Sequence, residues 1–330
     1  MSTGVSTPRP RILVVRLGAM GDVIHALPAV ASLKHSFPGS HLTWLIETQW
    51  APLLERNPYV DEIAIFERGN PRAWLRNRRK LRDGRFDFAV DFQGLLKSAL
   101  AASMARHDRI FGFHQAHLRE RAAGLFYSDR IVIQSAHIVE QNLELAAAAG
   151  AANVLRTFPL PPGRCEGRLP ESAFVLASPL AGWKSKQWPL AYYSRLAERL
   201  KQELGMALVL DAPPGNAHFA TVEGTITHHS SIQGLIDATR RASAIVGLDS
   251  GPLHLAAALG RPGVAIFGPT DPARNGPYGG TIAVLRSAGA VTSYKRGAAI
   301  DPSMREIDPD QVFETLKSHL VRRSAGCAAE

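Results

Sequence analysis

At roughly 150 residues per domain, a chain of 330 residues reads as two domains. Its 45% hydrophobic and 20% charged content is the balance of a soluble globular protein and excludes disorder and collagen-like architecture. The formal charge of +9 suits a nucleic acid, an anionic membrane face or a strongly acidic substrate, so where that charge sits matters more than its sum.

Residues 1–10 form a polar Ser/Thr/Pro tail, expected to be disordered. The apolar run after it, Ile12 to Val15, is interrupted by Arg16 and is too short for a signal-peptide core. Apolar stretches such as 264–267 fall far below the roughly 18 to 20 residues that a spanning helix needs, so a cytoplasmic location is expected. Cys165 and Cys327 are the only cysteines and have no metal-type spacing.

Short apolar strand patterns at 11–16, 42–46, 86–91, 109–113, 173–178, 207–211, 244–248 and 263–267 alternate with helical patterns such as 22–37 and 189–204. That alternation predicts an α/β fold of parallel sheets covered by helices on both faces. A run rich in Pro and Gly, 159–170, can continue neither a helix nor a central strand and is the expected linker. Domains are thus expected at 11–158 and 171–330, with the last helix free to pack back on the first domain. Two doubly wound halves imply a central cleft faced by the carboxyl ends of both sheets.

Much of the charge is concentrated. Arg68, Arg72, Arg76, Arg78, Arg79, Lys80, Arg82 and Arg85 lie in one window opposed only by Asp83. A solvated helix face accounts for this pattern. So does an anion-gripping face, since positions 68, 72, 76 and 79 have helical spacing and the Arg fork suits carboxylate and phosphate oxygens.

After the first strand, Gly18-Ala19-Met20-Gly21-Asp22 is a Gly-rich turn opening a helix, so backbone N–H groups and the positive end of the helix dipole become available to an anion. Neither a dinucleotide fingerprint nor a Walker loop is present. Asp22 reads as a helix N-cap or as a carboxylate able to take a proton from a substrate hydroxyl. In the second half, Gly247-Leu248-Asp249-Ser250-Gly251-Pro252-Leu253-His254 repeats the layout, and the amides around Ser250 and Gly251 would hold a diphosphate. Lys186 can add a charge there or be an ordinary solvated lysine. His254, one turn beyond Ser250, can face the same ligand or the core.

No metal site is expected. His114 with His117, and His228 with His229, lack partners at ligand spacing. Asp308-Pro309-Asp310 matches an Asp-x-Asp string but immediately precedes the helical pattern 311–321, where it reads as a helix start.

Five colinear segments carry a resemblance: 18–28, 91–98 (Asp91-Phe92-Gln93-Gly94-Leu95-Leu96-Lys97-Ser98), 186–189, 249–254 and Gly268-Pro269-Thr270-Asp271-Pro272. Together, over about 11–320, they resemble glycosyltransferase family nine, and the 91–98 segment favours its type I branch. The resemblance implies a GT-B architecture of two Rossmann-like domains, with the acceptor on the first and the nucleotide-sugar donor on the second. It implies inverting, metal-independent transfer of heptose from ADP-heptose to the Kdo region of lipid A, with no cofactor. The anionic inner-membrane face would be a peripheral partner, and no nucleic acid is expected.

By the same resemblance Asp22 is the general base, Lys186 the donor-phosphate lysine, and Asp249, Ser250, Gly251 and His254 the donor-binding turn. Arg68, Arg72 and Arg119 would hold the acidic acceptor, with Gly21, Gln93 and Lys97 on the same side. The sequence departs from the family in two places. Asn216 stands where a ribose-gripping glutamate is common, and Ala181-Gly182-Trp183 replaces a Thr-rich turn. Alternatives are another family-nine transferase with a different donor or core acceptor, and a basic RNA- or lipid-binding module without turnover.

Overall fold

The computed structural model describes residues 9–67, 79, 81–105, 107–213, 222–293 and 295–327, with side chains as far as Leu320. Arg68, Arg72 and most of the basic run lie outside the described residues, as does Asn216. The chain divides into two compact units, Met1–Pro161 and Pro162–Glu330.

Among its described residues the first unit holds six strands: β1 (Arg11–Val15), β2 (His41–Glu47), β3 (Glu62–Phe66), β4 (Phe88–Asp91), β5 (Arg109–Phe113) and β6 (Asp129–Ile131). They pair in the order β3-β2-β1-β4-β5-β6, every pair parallel. This is the Rossmann order, with its reversal between β1 and β4. Ile12 to Val15 are fully buried, as a strand covered on both faces must be. Helix α1 (Met20–Ser36) is apolar nearly all round and is buried from Val23 through Leu33. It packs along α3 (Ile138–Ala148), where Asn142 Nδ2 donates to the His25 carbonyl at 3.0 Å. Between them in sequence, α2 (Leu96–Ser103) follows β4.

The second unit repeats the plan with β7 (Phe174–Ala177), β8 (Ala207–Ala212), β9 (Thr225–His229), β10 (Ala244–Leu248), β11 (Gly263–Phe267) and β12 (Ile282–Arg286). Its parallel order is β12-β11-β10-β7-β8-β9, the same topology read from the other edge, with the reversal between β7 and β10. Helix α4 (Leu190–Leu204) presents Tyr193, Leu196, Ala197 and Leu200 to the core and ends at Gly205, whose φ of 63° is the left-handed conformation of a helix stop. Helices α5 (Ile232–Arg241) and α6 (Gly251–Ala258) flank β10 in sequence. The terminal helix α7 (Pro309–Cys327) packs within its own unit, burying Val312, Phe313 and Leu316 in the cluster that contains Trp188, Tyr193 and Leu196.

All eight expected strands occur, with ends shifted by at most two residues. Four further strands, β3, β6, β9 and β12, are the outer strands of the two sheets. Helix α1 begins at Met20, two residues before the expected start. The Pro/Gly-rich stretch has no regular structure, yet it is tied to α5: Glu166 accepts from Ser231 N at 2.7 Å and Ser231 Oγ at 2.8 Å, and Arg164 N donates to the Gln233 carbonyl at 3.0 Å. Asp308 and Asp310 form a helix start: Asp308 Oδ1 accepts from Asp310 N at 2.8 Å, and Asp310 pairs with Arg195 and Arg199 at 3.3 and 3.2 Å.

Candidate active site

Ligands of such sheets sit outside the carboxyl ends of the strands at the reversal of strand order. In the first unit that point lies between the ends of β1 and β4, and three charged or polar side chains converge there. Asp22 is the third residue of α1 and not its N-cap; the cap is Ala19, whose N–H donates to Asp22 Oδ2 at 3.2 Å. A carboxylate at this position complements the helix dipole and closes a capping box from the helix side. Asp22 Oδ1 also receives Arg16 Nη2 at 2.6 Å. The Arg16 side chain is 7% exposed and Asp22 is 45% exposed, so the acid reaches solvent while the base that orients it is buried.

Arg16 is fixed from three directions. Its Nη1 donates to the Phe92 carbonyl beyond β4, its backbone N donates to Leu45 at 3.3 Å, and its carbonyl accepts from the buried Trp44 Nε1 at 3.1 Å. The turn that follows has little room: a Cβ on Gly18 would lie 2.5 Å from Trp50 Nε1, so a larger residue there would have to displace that indole. Gln93 Oε1 accepts from Leu17 N at 2.7 Å and ties the two loops together.

Beneath them Asp91 is fully buried. Its carboxylate accepts from Ser98 Oγ (2.8 Å), Tyr127 OH (2.7 Å), Gln93 N (2.9 Å) and Gly94 N (3.3 Å). Burial pushes this carboxyl above the ordinary range, with those four donors opposing the rise. The 91–98 motif is therefore a loop wrapped around its own acid, with Gly94 at φ 69° making the bend.

In the second unit the corresponding point lies between the ends of β7 and β10. Lys186 Nζ donates to Asp249 Oδ2 and to the Asp249 carbonyl, both at 2.9 Å, and lies 4.8 Å from the Trp183 ring centre. His254 Nε2 stands 3.6 Å from Asp249 Oδ1. Burial pushes the Asp249 carboxyl up, but His254 and Lys186 outweigh it and hold the group well below the usual carboxylate range. Ser250 is the N-cap of α6, yet its Oγ turns back to the Leu248 carbonyl at 3.2 Å and does not cap the helix. An ammonium has three donors, and Asp249 engages two of Lys186's. Pro252 has no N–H and Leu253 N donates to the Ser250 carbonyl at 3.1 Å, so one ammonium donor, the end of the α6 dipole and the amides of Ser250 and Gly251 are what this corner offers an anion.

Asp22 and Gln93 are brought together within the first unit, and Gly21 is buried in the first turn of α1. Lys97 pairs with Glu47 at 2.9 Å at the end of β2, and Glu47 N donates to the Leu17 carbonyl at 3.0 Å, so Lys97 borders the same turn. Arg119 is exposed, and its neighbour Glu120 accepts from Leu96 N at 2.8 Å at the start of α2. Lys186, Asp249, Ser250, Gly251 and His254 form one constellation in the second unit. Of the basic window, the described Arg79, Arg82 and Arg85 are exposed. Sequence reasoning missed Arg16, although a charged residue ending a fully apolar parallel strand was the available signal. It also missed Trp183 as the lysine's neighbour, a contact between loop residues that no periodicity reveals.

The order of the strands, found twice over, defines the class: two Rossmann-like units of the GT-B architecture. Residues 74–299 match glycosyltransferase family 9 (heptosyltransferase), and the chain belongs to that family. It is 30% identical over 298 residues to lipopolysaccharide heptosyltransferase 1 of Pseudomonas aeruginosa, covering 82% of this chain and 81% of the relative. To lipopolysaccharide heptosyltransferase 2 of Escherichia coli K12 it is 26% identical, covering 96% and 100%. Among solved structures, E. coli heptosyltransferase WaaC with ADP shares the fold with a TM-score of 0.75 at 23% identity, covering 94% of this chain and 99% of that one. Among the described residues no helix is long and apolar enough to cross a membrane.

Proposed function

We propose that this glycosyltransferase moves heptose from ADP-heptose to a Kdo sugar of the lipopolysaccharide inner core, inverting the anomeric carbon in a single displacement. The similarity to lipopolysaccharide heptosyltransferases 1 and 2 supports the substrate class. The observation that carries the mechanism is Asp22: a half-exposed carboxylate at a strand-order reversal, held in one orientation by a buried arginine. Asp22 takes the proton of the attacking acceptor hydroxyl as that oxygen bonds to the anomeric carbon. The bond from that carbon to the diphosphate oxygen breaks, and its electron pair leaves on ADP.

Lys186 and the amides of Ser250 and Gly251 at the start of α6 stabilise the charge growing on the diphosphate, a role often worth a few kcal/mol per donor. The step therefore asks for no metal, and activity should survive a chelator. Kdo carries a carboxylate and lipid A carries phosphates, which gives Arg68, Arg72 and Arg119 an acceptor role and the chain an affinity for the anionic cytoplasmic face of the inner membrane. Purified protein incubated with Kdo-lipid A and a panel of nucleotide sugars, with products read by mass spectrometry, tests the reading. Addition of one heptose from ADP-heptose supports it, and preference for another sugar or a core oligosaccharide replaces it with a sister activity of the family.

A further inference from the structure

Three aspartates are buried among the described residues: Asp91, Asp211 and Asp249. The first is saturated by four donors and the third is held by Lys186 and His254. Asp211 differs. It is 6% exposed, and the one hydrogen bond it receives from the described residues is a long one, from Ser230 Oγ at 3.3 Å. Burial, only partly opposed by Ser230, pushes its carboxyl up to about 7. A carboxylate accepts at about four lone-pair sites, so Asp211 is short of donors.

Its place in the fold says what could supply them. Asp211 is the penultimate residue of β8, at the carboxyl end of the second strand in Rossmann order. In a Rossmann unit the acid at the end of this second strand accepts from a ribose hydroxyl while the phosphates lie on the helix after the first strand; here the phosphate site follows β10, on the far side of β7 and still at the reversal of strand order. Two strand spacings, on the order of 10 Å, separate β8 from β10, whose end carries the Asp249–Lys186 anion site. A nucleoside diphosphate spans such a distance.

Building on the donor assignment above, we propose that Asp211 accepts hydrogen bonds from the ribose hydroxyls of the donor nucleotide. The vicinal diol supplies two donors to a carboxylate that lacks them. Asp211, and not a residue of the 214–221 stretch alone, then holds the sugar ring of the nucleotide.

The test is calorimetric titration at pH 8 of the full chain and its Asp211→Asn variant with ADP, 2′,3′-dideoxy-ADP and IDP, with thermal unfolding confirming that both proteins are folded. The expected result is a roughly 10- to 100-fold weaker affinity of Asp211→Asn for ADP and for IDP, and nearly equal affinities of the two proteins for the dideoxy nucleotide. Equal binding of ADP by both proteins would overturn the proposal. So would a loss of the same size with the dideoxy nucleotide, or a loss seen with ADP and absent with IDP, which would move the contact to the exocyclic amine. If the wild type prefers another nucleoside diphosphate, the adenine assignment fails, and Asp211 is judged by the same ribose comparison on that nucleotide. If it binds none, both readings fall.

Discussion

Arg16 and Asp22 form an asymmetric ion pair: Nη2 and Oδ1 are 2.6 Å apart, with the arginine side chain 7% and the aspartate 45% exposed. The guanidinium is anchored on the Phe92 carbonyl beyond the neighbouring strand, so the fork transmits the position of the sheet to the carboxylate. Replacing Asp22 by Asn keeps the shape and removes the proton acceptor. Transfer should fall by on the order of 10²- to 10⁴-fold while ADP affinity stays within twofold. Arg16→Met should lower kcat with little change in donor KM, and Arg16→Lys should recover only part of it, because a single ammonium cannot span both acceptors. Steady-state kinetics decide: a change confined to donor KM would remove Arg16 from a positioning role.

The buried acid of the 91–98 loop gives a stability prediction. Tyr127→Phe deletes the 2.7 Å hydrogen bond to Asp91 and leaves a fully buried carboxyl with one donor fewer. The expected cost is about 1–3 kcal/mol by urea unfolding. Tyr127→Phe with Asp91→Asn should be less damaging than the sum of the two single changes, since both touch one network. Additive effects would show that the two groups are independent.

What the sequence made legible follows burial. The eight strands read from apolar runs are the interior of the two sheets, where both faces are covered, as in the fully buried Phe174–Ala177 and Gly263–Phe267. The four that escaped are edges: Asp129–Ile131 and Thr225–His229, apart from the buried His228, are exposed or half-buried and carry no apolar run, whereas Glu62–Phe66 and Ile282–Arg286 carry short ones that are only partly buried. That Lys186, Asp249 and His254 come together was legible because a strand, a turn and a helix start place them at one sheet end. Asp22 was found with its register wrong, since Ala19 is a poor N-cap residue and gave no signal that the helix begins before the acid. Arg16 is anchored on Phe92, 76 residues away, and Asp211 receives Ser230, 19 residues away, separations that no local pattern reports; Asp91 draws three of its four donors from its own loop and only Tyr127 from a distance.

Lys186 and Asp249 are 15% and 8% exposed, so neither charge is well solvated without the other. Lys186→Met should weaken ADP binding roughly 10- to 100-fold and destabilise the protein by about 3 kcal/mol, because Asp249 is left as a buried charge with only His254 beside it. The stability loss should be smaller at pH 3 than at pH 7. Asp249 is held below its unfolded value by its partners; the stability this confers is present above the ordinary carboxylate range and drains as pH falls toward the folded value. Adding Asp249→Asn to Lys186→Met should restore stability and leave ADP binding weak. Recovery of binding in the double variant would count against Lys186 as the phosphate donor.

Asp211 has the opposite sign. Its carboxyl sits at about 7 in the folded protein, against 3.8 ordinarily. Below about pH 4 both folded and unfolded chains carry it protonated and it costs nothing. As pH rises from about 4 to about 7 the unfolded chain gives up its proton first, so this group removes stability across that window, a few kcal/mol in all. Asp211→Asn carries no such proton, so its stability relative to the wild type should climb across the same interval and level off above about pH 7. At pH 8 a ligand that donates to the carboxylate should offset the wild type's deficit, so saturating ADP should raise the wild-type Tm more than that of Asp211→Asn. Scanning calorimetry of both proteins from pH 4 to 8, with and without ADP, measures all three quantities. A stability difference that does not change with pH would place the Asp211 proton outside the folding equilibrium.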